Sequence, residues 1–506
     1  MVRSSWILSL LLALALGASS ASPARSIPSP PEERADRFGV YYWGADLSTW
    51  TGTPNHLAWG ADKVAAIGTR TIRVFLGPSD PYQVNPKTNP PGDLFLKRIA
   101  ASPAYDALFR DPRFRTYLLT VSTATAEPTA AAVRSQIARL GEHLLATYEG
   151  KTFILLNWEG DNSVGAEPPG SPEWDELVAR TQARADGVVD ARARQSDSSS
   201  RLYSGLEFNL VARDGVRCGD GTVRCVIDSV APRVSVDYYS YSGWQSLDGK
   251  RVNPSASLAK ILRDDLGFAL RKVRSRRPKI QEENFILGEW GFARSIYSEC
   301  LAARYLAEVV RALEAPNGFH VSYAVYWQTL DNGWRGGRRT PCVGNLRDEG
   351  DPEGQVDWML YGLFRGRNGK MTLPGATLQA LLHNDPVPPL PRCPAIDAGG
   401  VAGASEDGPF LHPDGPLTIS GLGFGQRGGN KIVILQAHDR QGSAPNVLRE
   451  LGPQSDPRWD ESPQRINATV PEGVFHDGCA LVWVTSGNGV ESNAVLVRIE
   501  PDGTKD

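Results

Sequence analysis

An alternation repeated eight times constrains this chain more than any other feature of its sequence. Between Phe38 and Asn384, short apolar runs give way to polar loops and then to stretches whose apolar residues recur at helical spacing. The runs are Gly39–Trp43, Thr71–Leu76, Thr116–Val121, Phe153–Trp158, Tyr203–Leu210, Val234–Tyr239, Phe285–Gly288 and Tyr323–Gln328. The helical patterns between them include Thr129–Tyr148, Pro172–Gln195, Ser255–Arg274 and Leu301–Leu313. In the third, Leu258, Ile261, Leu262, Leu266 and Leu270 share one face. Strands that alternate with helices pair in parallel through right-handed crossovers, and eight is the number that closes a (β/α)8 barrel. An open doubly wound sheet is the competing arrangement, but its GxGxxG fingerprint is absent. The α/β fold expected for residues 38–385 is therefore a (β/α)8 TIM barrel.

The character of the chain changes after Pro386–Pro394, a Pro-rich stretch that reads as a stiff linker. From residue 395 to 506, alternating segments occur at Leu417–Gly421, Lys431–Ala437, Gln464–Val470, Cys479–Thr485 and Ala494–Ile499, separated by Gly, Pro and Asn turns. That pattern predicts a small all-β sandwich.

At the other end, Arg3, the apolar run from Trp6 to Leu16 and the small residues Ser19 and Ala21 mark residues 1–21 as a secretory signal peptide. The run rises only about 16 Å as a helix, too short for a hydrocarbon core of about 30 Å. Residues 22–37 then form a disordered tether, and no later stretch is apolar for long enough to span a membrane. A secreted, extracellular or periplasmic protein is expected. Six cysteines suit that oxidising setting, and sequence proximity favours the pairs Cys218–Cys225, Cys300–Cys342 and Cys393–Cys479 over other connectivities. There is no CxxC or HExxH, so no metal and no cofactor are expected. Lys and Arg number 54 against 57 Asp and Glu, which leaves no basic footprint for nucleic acid.

In a (β/α)8 barrel the reactive groups gather at the C-terminal ends of the strands. The fourth strand ends in Leu156-Asn157-Trp158-Glu159-Gly160-Asp161, and the seventh in Leu287-Gly288-Glu289-Trp290-Gly291. Each places a carboxylate where an apolar strand meets a Gly-containing turn. Two carboxylates facing across a cleft, one protonated to donate to a leaving oxygen and one ionised to attack or to activate water, are the minimum apparatus for cleaving a glycosidic bond. Tyr and Trp at neighbouring strand ends add hydroxyl donors and flat faces for stacking on sugars, and the chain carries 13 Trp.

The barrel resembles the clan GH-A glycoside hydrolases, cellulase-like enzymes whose acid/base Glu ends strand 4 and whose nucleophile Glu ends strand 7. The resemblance rests on Thr71-Ile72-Arg73-Val74, Gly288-Glu289-Trp290-Gly291, Tyr326-Trp327 and the exit segments Tyr361-Gly362-Leu363-Phe364 and Gly369-Lys370-Met371-Thr372. It implies Glu289 as nucleophile, Glu159 as acid/base and Arg73 as support for the nucleophile. It further implies Tyr239 or Tyr241 bonded to Glu289, Trp327 as sugar platform, and Trp290 and Trp158 in the same cleft. Retention of anomeric configuration would follow, with carboxylates about 5–5.5 Å apart. One position departs from the clan: Trp158 stands where Asn usually precedes the strand-4 Glu, and Asn157 is one residue further back. On a regular strand that turns Asn157 to the opposite side, so Asn157 serves as a substrate-binding candidate through a bulge at the strand end. Asp161 and Glu207 are the reserve carboxylates, and Glu207 reads equally well as an interior charge paired with an Arg.

The terminal unit resembles an IPT/TIG immunoglobulin-like module, on Thr418-Ile419-Ser420-Gly421-Leu422-Gly423-Phe424-Gly425 and Ser492-Asn493-Ala494-Val495. Such a module implies a spacer, or contact with a cell surface or a glycan. A monomeric secreted retaining glycoside hydrolase with a carbohydrate substrate is the reading these features carry; the alternative is a non-catalytic glycan-binding or adhesion protein on a decayed barrel.

Overall fold

A computed structural model describes residues 33–43, 55–79, 92–123, 129–165, 171–213, 215–220, 223–247, 255–294, 296–331, 361–365, 369–389, 394–402, 410–412, 415–422, 431–436, 447–451, 464–471 and 478–499, with 81, 82, 84, 85, 168 and 424. The expected signal peptide, Cys342, Cys393 and most of the expected tether lie outside these residues. The end of that tether, Arg34–Arg37, is a helical turn whose Arg37 donates to the carbonyls of Leu313 and Val321.

Eight parallel strands close a barrel. They are β1 (Phe38–Tyr42), β2 (Thr71–Leu76), β3 (Thr116–Val121), β4 (Thr152–Leu156), β5 (Arg201–Phe208), β6 (Tyr238–Ser242), β7 (Phe285–Trp290) and β8 (Tyr323–Trp327). Each pairs with its neighbours in sequence, and β8 returns to β1. Successive side chains alternate between two cores. Tyr41, Leu118, Ile154, Leu156, Tyr238, Ile286, Val325 and Trp327 fill the barrel interior. Val40, Ile72, Leu119, Phe153, Leu206, Tyr239, Tyr241, Leu287 and Tyr326 pack outward against the helices.

Those helices have local reasons to form. Thr129, Ser257 and Ser298 cap Ala130–Thr147, Leu258–Arg274 and Glu299–Glu314, each side chain accepting from a backbone N–H three residues on. In Leu258–Arg274 the buried Leu258, Leu262, Leu266 and Leu270 belong to the apolar stripe of the sequence pattern, and truncating one such Leu to Ala costs about 2–5 kcal/mol. The expected strand at Val234–Tyr239 begins instead at Tyr238, and a 3₁₀ turn at Ala231–Arg233 precedes it.

Beyond the barrel, two sheets form the predicted sandwich. One contains β9 (Ala395–Ala402), β11 (Pro416–Leu422) and β14 (Gln464–Thr469), in that order. The other runs β10 (Phe410–Leu411), β16 (Val495–Ile499), β15 (Gly478–Thr485), β12 (Lys431–Gln436) and β13 (Val447–Leu451). Ile419, Phe424, Ile432, Ile434, Ile466, Val482 and Val497 fill the space between them. β9, β10 and β13 were not anticipated; β9 carries Gly399-Gly400, which weakens a strand pattern.

Cys218 and Cys225 are joined as expected, and Cys300 is also disulfide-bonded. Among the described residues, the grouping with metal-ligand proximity is Cys218, Cys225 and Asp228, and its sulfurs are consumed by that disulfide. No helix among them is long and apolar enough to cross a membrane.

Candidate active site

The site is built up from Arg73, which β2 turns into the barrel and leaves with no solvent exposure. Its guanidinium binds Glu207 of β5 through two parallel hydrogen bonds, Nη1–Oε2 at 2.6 Å and Nη2–Oε1 at 2.8 Å. Nε donates to Thr120 Oγ1 at 2.9 Å and Nη1 to the Gly288 carbonyl at 3.0 Å, while the plane lies 4.4 Å from the Tyr41 ring centre. Nη2 also lies 3.2 Å from Glu289 Oε1. Burial alone would weaken Arg73's hold on its proton, but Glu207 and Glu289 more than offset it, so the cation is locked in. Glycine at 288 is required by this arrangement: a Cβ there would sit 2.0 Å from Ser240 Oγ and 2.6 Å from Glu207 Oε2.

Gly288 also marks a break in register. Tyr241 pairs with Leu287, but the next residue, Ser242, pairs with Glu289. The extra residue is a β-bulge, and it puts Glu289 on the inner side where strict alternation would have pointed it at the helices. Trp290 is correspondingly turned outward, edge-on to Tyr326 in the barrel–helix layer.

Glu159 follows β4 and opens the short helix Gly160–Val164. Its Oε2 accepts from Asn162 Nδ2 at 2.5 Å, and its backbone N–H donates to Glu207 Oε1 at 3.3 Å. The hydroxyl of Ser242, at the end of β6, sits between the two candidate carboxyls, 2.6 Å from Glu159 Oε1 and 3.3 Å from Glu289 Oε2. These two oxygens are therefore no more than about 6 Å apart. Trp244 Nε1 donates to Glu289 Oε2 at 3.4 Å.

Three buried carboxylates thus surround one guanidinium. Glu207 takes both of its forks, and the other two sit in a deficit of positive charge. Burial raises the Glu159 carboxyl to about 7, with Glu207 pushing the same way and Ser242 and Arg73 opposing. Burial also holds Glu289 well above the usual carboxylate range, opposed chiefly by Arg73. Arg73 Nη2 and the Trp244 indole N–H lie against Glu289, and Asn162 Nδ2 and the Ser242 hydroxyl lie against Glu159.

An aromatic group lines the same end of the barrel. Trp327 meets Tyr41 edge-on at 4.8 Å, lies 6.2 Å from Trp43 and 6.5 Å from Trp244, and Trp244 meets Tyr361 at 5.2 Å. Trp158, beside Glu159 in the chain, is 54% exposed.

Of the residues singled out in the sequence, Glu159, Glu289, Arg73 and Trp327 meet at this end of the barrel. Asn157 is turned elsewhere: its side chain takes both the N–H and the carbonyl of Glu207, tying β4 to β5. Tyr239 and Tyr241 lie on the outer face of β6, Tyr239 stacked on Phe285 and Tyr241 bonded to Ser246. They do not bond Glu289, because the inward positions of β6 are Tyr238, Ser240 and Ser242. Asp161 accepts the backbone N–H groups of Val226, Asn209 and Leu210, anchoring loops. Glu207 is the interior partner of an Arg. Sequence reading missed Ser242, Ser240 and Trp244. The small polar residues at period 2 in Tyr238-Tyr239-Ser240-Tyr241-Ser242 were the available signal.

No protein-family model and no curated protein matches the sequence. Among solved structures, a GH5_18 protein of Streptomyces cattleya in complex with Manβ1-4GlcNAc aligns at 15% identity and a TM-score of 0.44, over 71% of this chain and 83% of that one. An exo-β-1,4-mannosidase of Opitutaceae bacterium strain TAV5 aligns at 13% identity and a TM-score of 0.41, over 71% of this chain and 62% of that one. A family 1 β-glucosidase of Thermotoga maritima aligns at 10% identity and a TM-score of 0.42, over 71% and 99%. All three belong to glycoside hydrolase families by name. Likeness at this level decides nothing about chemistry, and the barrel stands on its own strand pairing.

Proposed function

We propose that this chain is a retaining glycoside hydrolase, with Glu289 as nucleophile and Glu159 as acid/base. The observation that carries this reading is the Ser242 bridge, which holds one oxygen of each carboxyl within about 6 Å of the other, nearer the roughly 5–5.5 Å spacing of a nucleophile pair than the roughly 6.5–9.5 Å that an inverting pair needs. A hydroxyl has one hydrogen, so it serves both oxygens when protonated Glu159 donates to Ser242 Oγ and Ser242 donates to ionised Glu289. That is the protonation state the first step needs.

Glu289 attacks the anomeric carbon as the bond to the leaving oxygen breaks, and Glu159 gives that oxygen its proton. The glycosyl ester is then hydrolysed: ionised Glu159 takes a proton from water, the hydroxyl bonds to the anomeric carbon, and Glu289 leaves. Arg73 lowers the cost of holding Glu289 ionised, and the Trp327 group offers an apolar wall for a sugar ring. All of these groups come from one chain, so a monomer suffices. Secretion fits the disulfide Cys218–Cys225 and the bonded Cys300. The sandwich, with its two sheets, fits an IPT/TIG-like module.

Binding without cleavage would suit carboxyls held well beyond roughly 10 Å, and the closer approach through Ser242 supports cleavage instead. The test is a panel of aryl glycosides and polysaccharides offered to the purified chain and to Glu289→Gln. Turnover of at least one substrate, lost on the order of 10⁴-fold in the folded variant, is expected. Equal turnover by the variant would overturn the assignment.

A further inference from the structure

The junction between barrel and sandwich holds a second buried charge cluster, separate from the one around Arg73. Its centre is Glu491, 3% exposed, in the turn between β15 and β16. One of its oxygens pairs with Arg294, in the loop after β7, and the other with Arg365, beyond β8. Arg294, 1% exposed, also grips Asp331 in the loop after β8 through two contacts of 2.6 and 2.7 Å. Arg365 continues to Glu299 Oε2 at 2.8 Å and to the Gly489 carbonyl at 2.9 Å. The backbones interlock as well: Glu299 N–H donates to the Glu491 carbonyl at 3.0 Å, and Glu491 N–H donates to Glu299 Oε2 at 3.0 Å.

The two loops held this way border the candidate site. Asp331 Oδ1 accepts the N–H of Gly362 at 3.0 Å, next to Tyr361, whose ring meets Trp244, the donor to Glu289. Gly291, three residues before Arg294, lies so close under the cleft wall that a Cβ would sit 2.3 Å from the Trp327 carbonyl and 3.1 Å from Tyr361. Ala293 and Ile296 join Trp327 and Tyr361 in one apolar cluster.

From this continuity we infer that the C-terminal sandwich is a fixed support of the loops beside the candidate site, and that Glu491 is a positioning residue. It reaches across the domain junction to set the loops after β7 and β8, and through them Tyr361 and Trp244. A module swinging on a linker, as a spacer or detached glycan-binding unit would, has no use for a buried carboxylate shared by two barrel arginines. Removing that charge leaves Arg294 and Arg365 buried without their common partner, so the loops lose their anchor while the barrel strands, which it does not touch, keep theirs.

The test is amide hydrogen exchange on the full chain, wild type against Glu491→Gln, which reads loop order without a substrate and so stands or falls apart from the glycosidase reading. Exchange at least tenfold faster at residues 291–297 and 328–331, with Thr116–Val121 still protected, is expected. Unchanged exchange in those loops overturns the inference. Should Glu491→Gln fail to fold, Glu491→Asp, which keeps the charge but withdraws it by one methylene, is decided by the same two outcomes. The part that concerns the cleft rests on the proposed activity. For an aryl glycoside that the wild type cleaves, the variant should raise KM at least fivefold and change kcat less than twofold. Loosened loops with unaltered KM would leave Glu491 a structural residue only and overturn its positioning role.

Discussion

Two buried charge clusters, built from the same residue types, do opposite things with their charge. At the domain junction Arg294 and Arg365 face Asp331, Glu299 and Glu491, and every carboxylate there meets a guanidinium or a backbone N–H. In the barrel one guanidinium, Arg73, faces Glu207, Glu159 and Glu289, and Glu207 takes both of its forks. The junction is satisfied, and the barrel is left short of positive charge. Burial first, and the neighbouring Glu207 charge after it, raise the Glu159 and Glu289 carboxyls against the opposition of Arg73, Glu159 to about 7. What sets the barrel cluster apart is burial combined with too little compensating positive charge.

The largest expected effect breaks the part of the barrel cluster that resembles the junction. Arg73→Met leaves Glu207 buried and unpaired and should cost about 3–5 kcal/mol in denaturant unfolding. A cost under about 1 kcal/mol would mean that the bidentate pair does not hold the barrel floor.

Glu159→Gln separates the clusters by the sign of their stability effect. The folded carboxyl titrates near 7, above its usual 4.5, so it keeps its proton longer in the folded state. Its contribution is present below about 4.5 and is lost as pH rises through about 7. The Gln variant should thus melt above the wild type at pH 8 and close to it at pH 4, whereas Glu491→Gln should melt lower at both. In activity, Glu159→Gln should lose about 10²–10⁴-fold on substrates with poor leaving groups. The wild type's decline as pH rises through about 7 should vanish in the variant. A wild-type profile flat from pH 5 to 9 would remove Glu159 from the acid role.

Much of this was legible in the sequence. The eight apolar runs gave the barrel because parallel strands buried on both faces read as continuous hydrophobic stretches. Glu159 and Glu289 were visible as carboxylates at the ends of such runs. The register of β6 was not, since Tyr238, Tyr239 and Tyr241 are all buried and apolar enough to suit either side. The bulge at Gly288 was equally hidden, and without it Glu289 belongs to the outer face, where Trp290 now sits. Nor could the pattern show that Arg73 and Glu207, 134 residues apart, would meet. Such a contact is set by barrel closure, not by local periodicity.

The smallest effect sharpens the β6 register. Ser242→Ala removes the hydroxyl between the carboxyls and should lower kcat/KM about tenfold or more. Tyr241→Phe removes only the bond to Ser246 behind the sheet and should change kcat/KM less than twofold. The reverse ranking would mean that the odd-numbered residues of β6 face the site.

The most direct measurement is covalent trapping. A 2-deoxy-2-fluoro glycosyl fluoride, matched in sugar to whichever aryl glycoside the chain cleaves, slows breakdown of a glycosyl ester and lets it accumulate. Mass spectrometry of the digested protein should then find one added fluoroglycosyl group, on the peptide bearing Glu289 and on that carboxylate. Inactivation with the label on any other residue, or turnover with inversion and no label at all, would contradict the account.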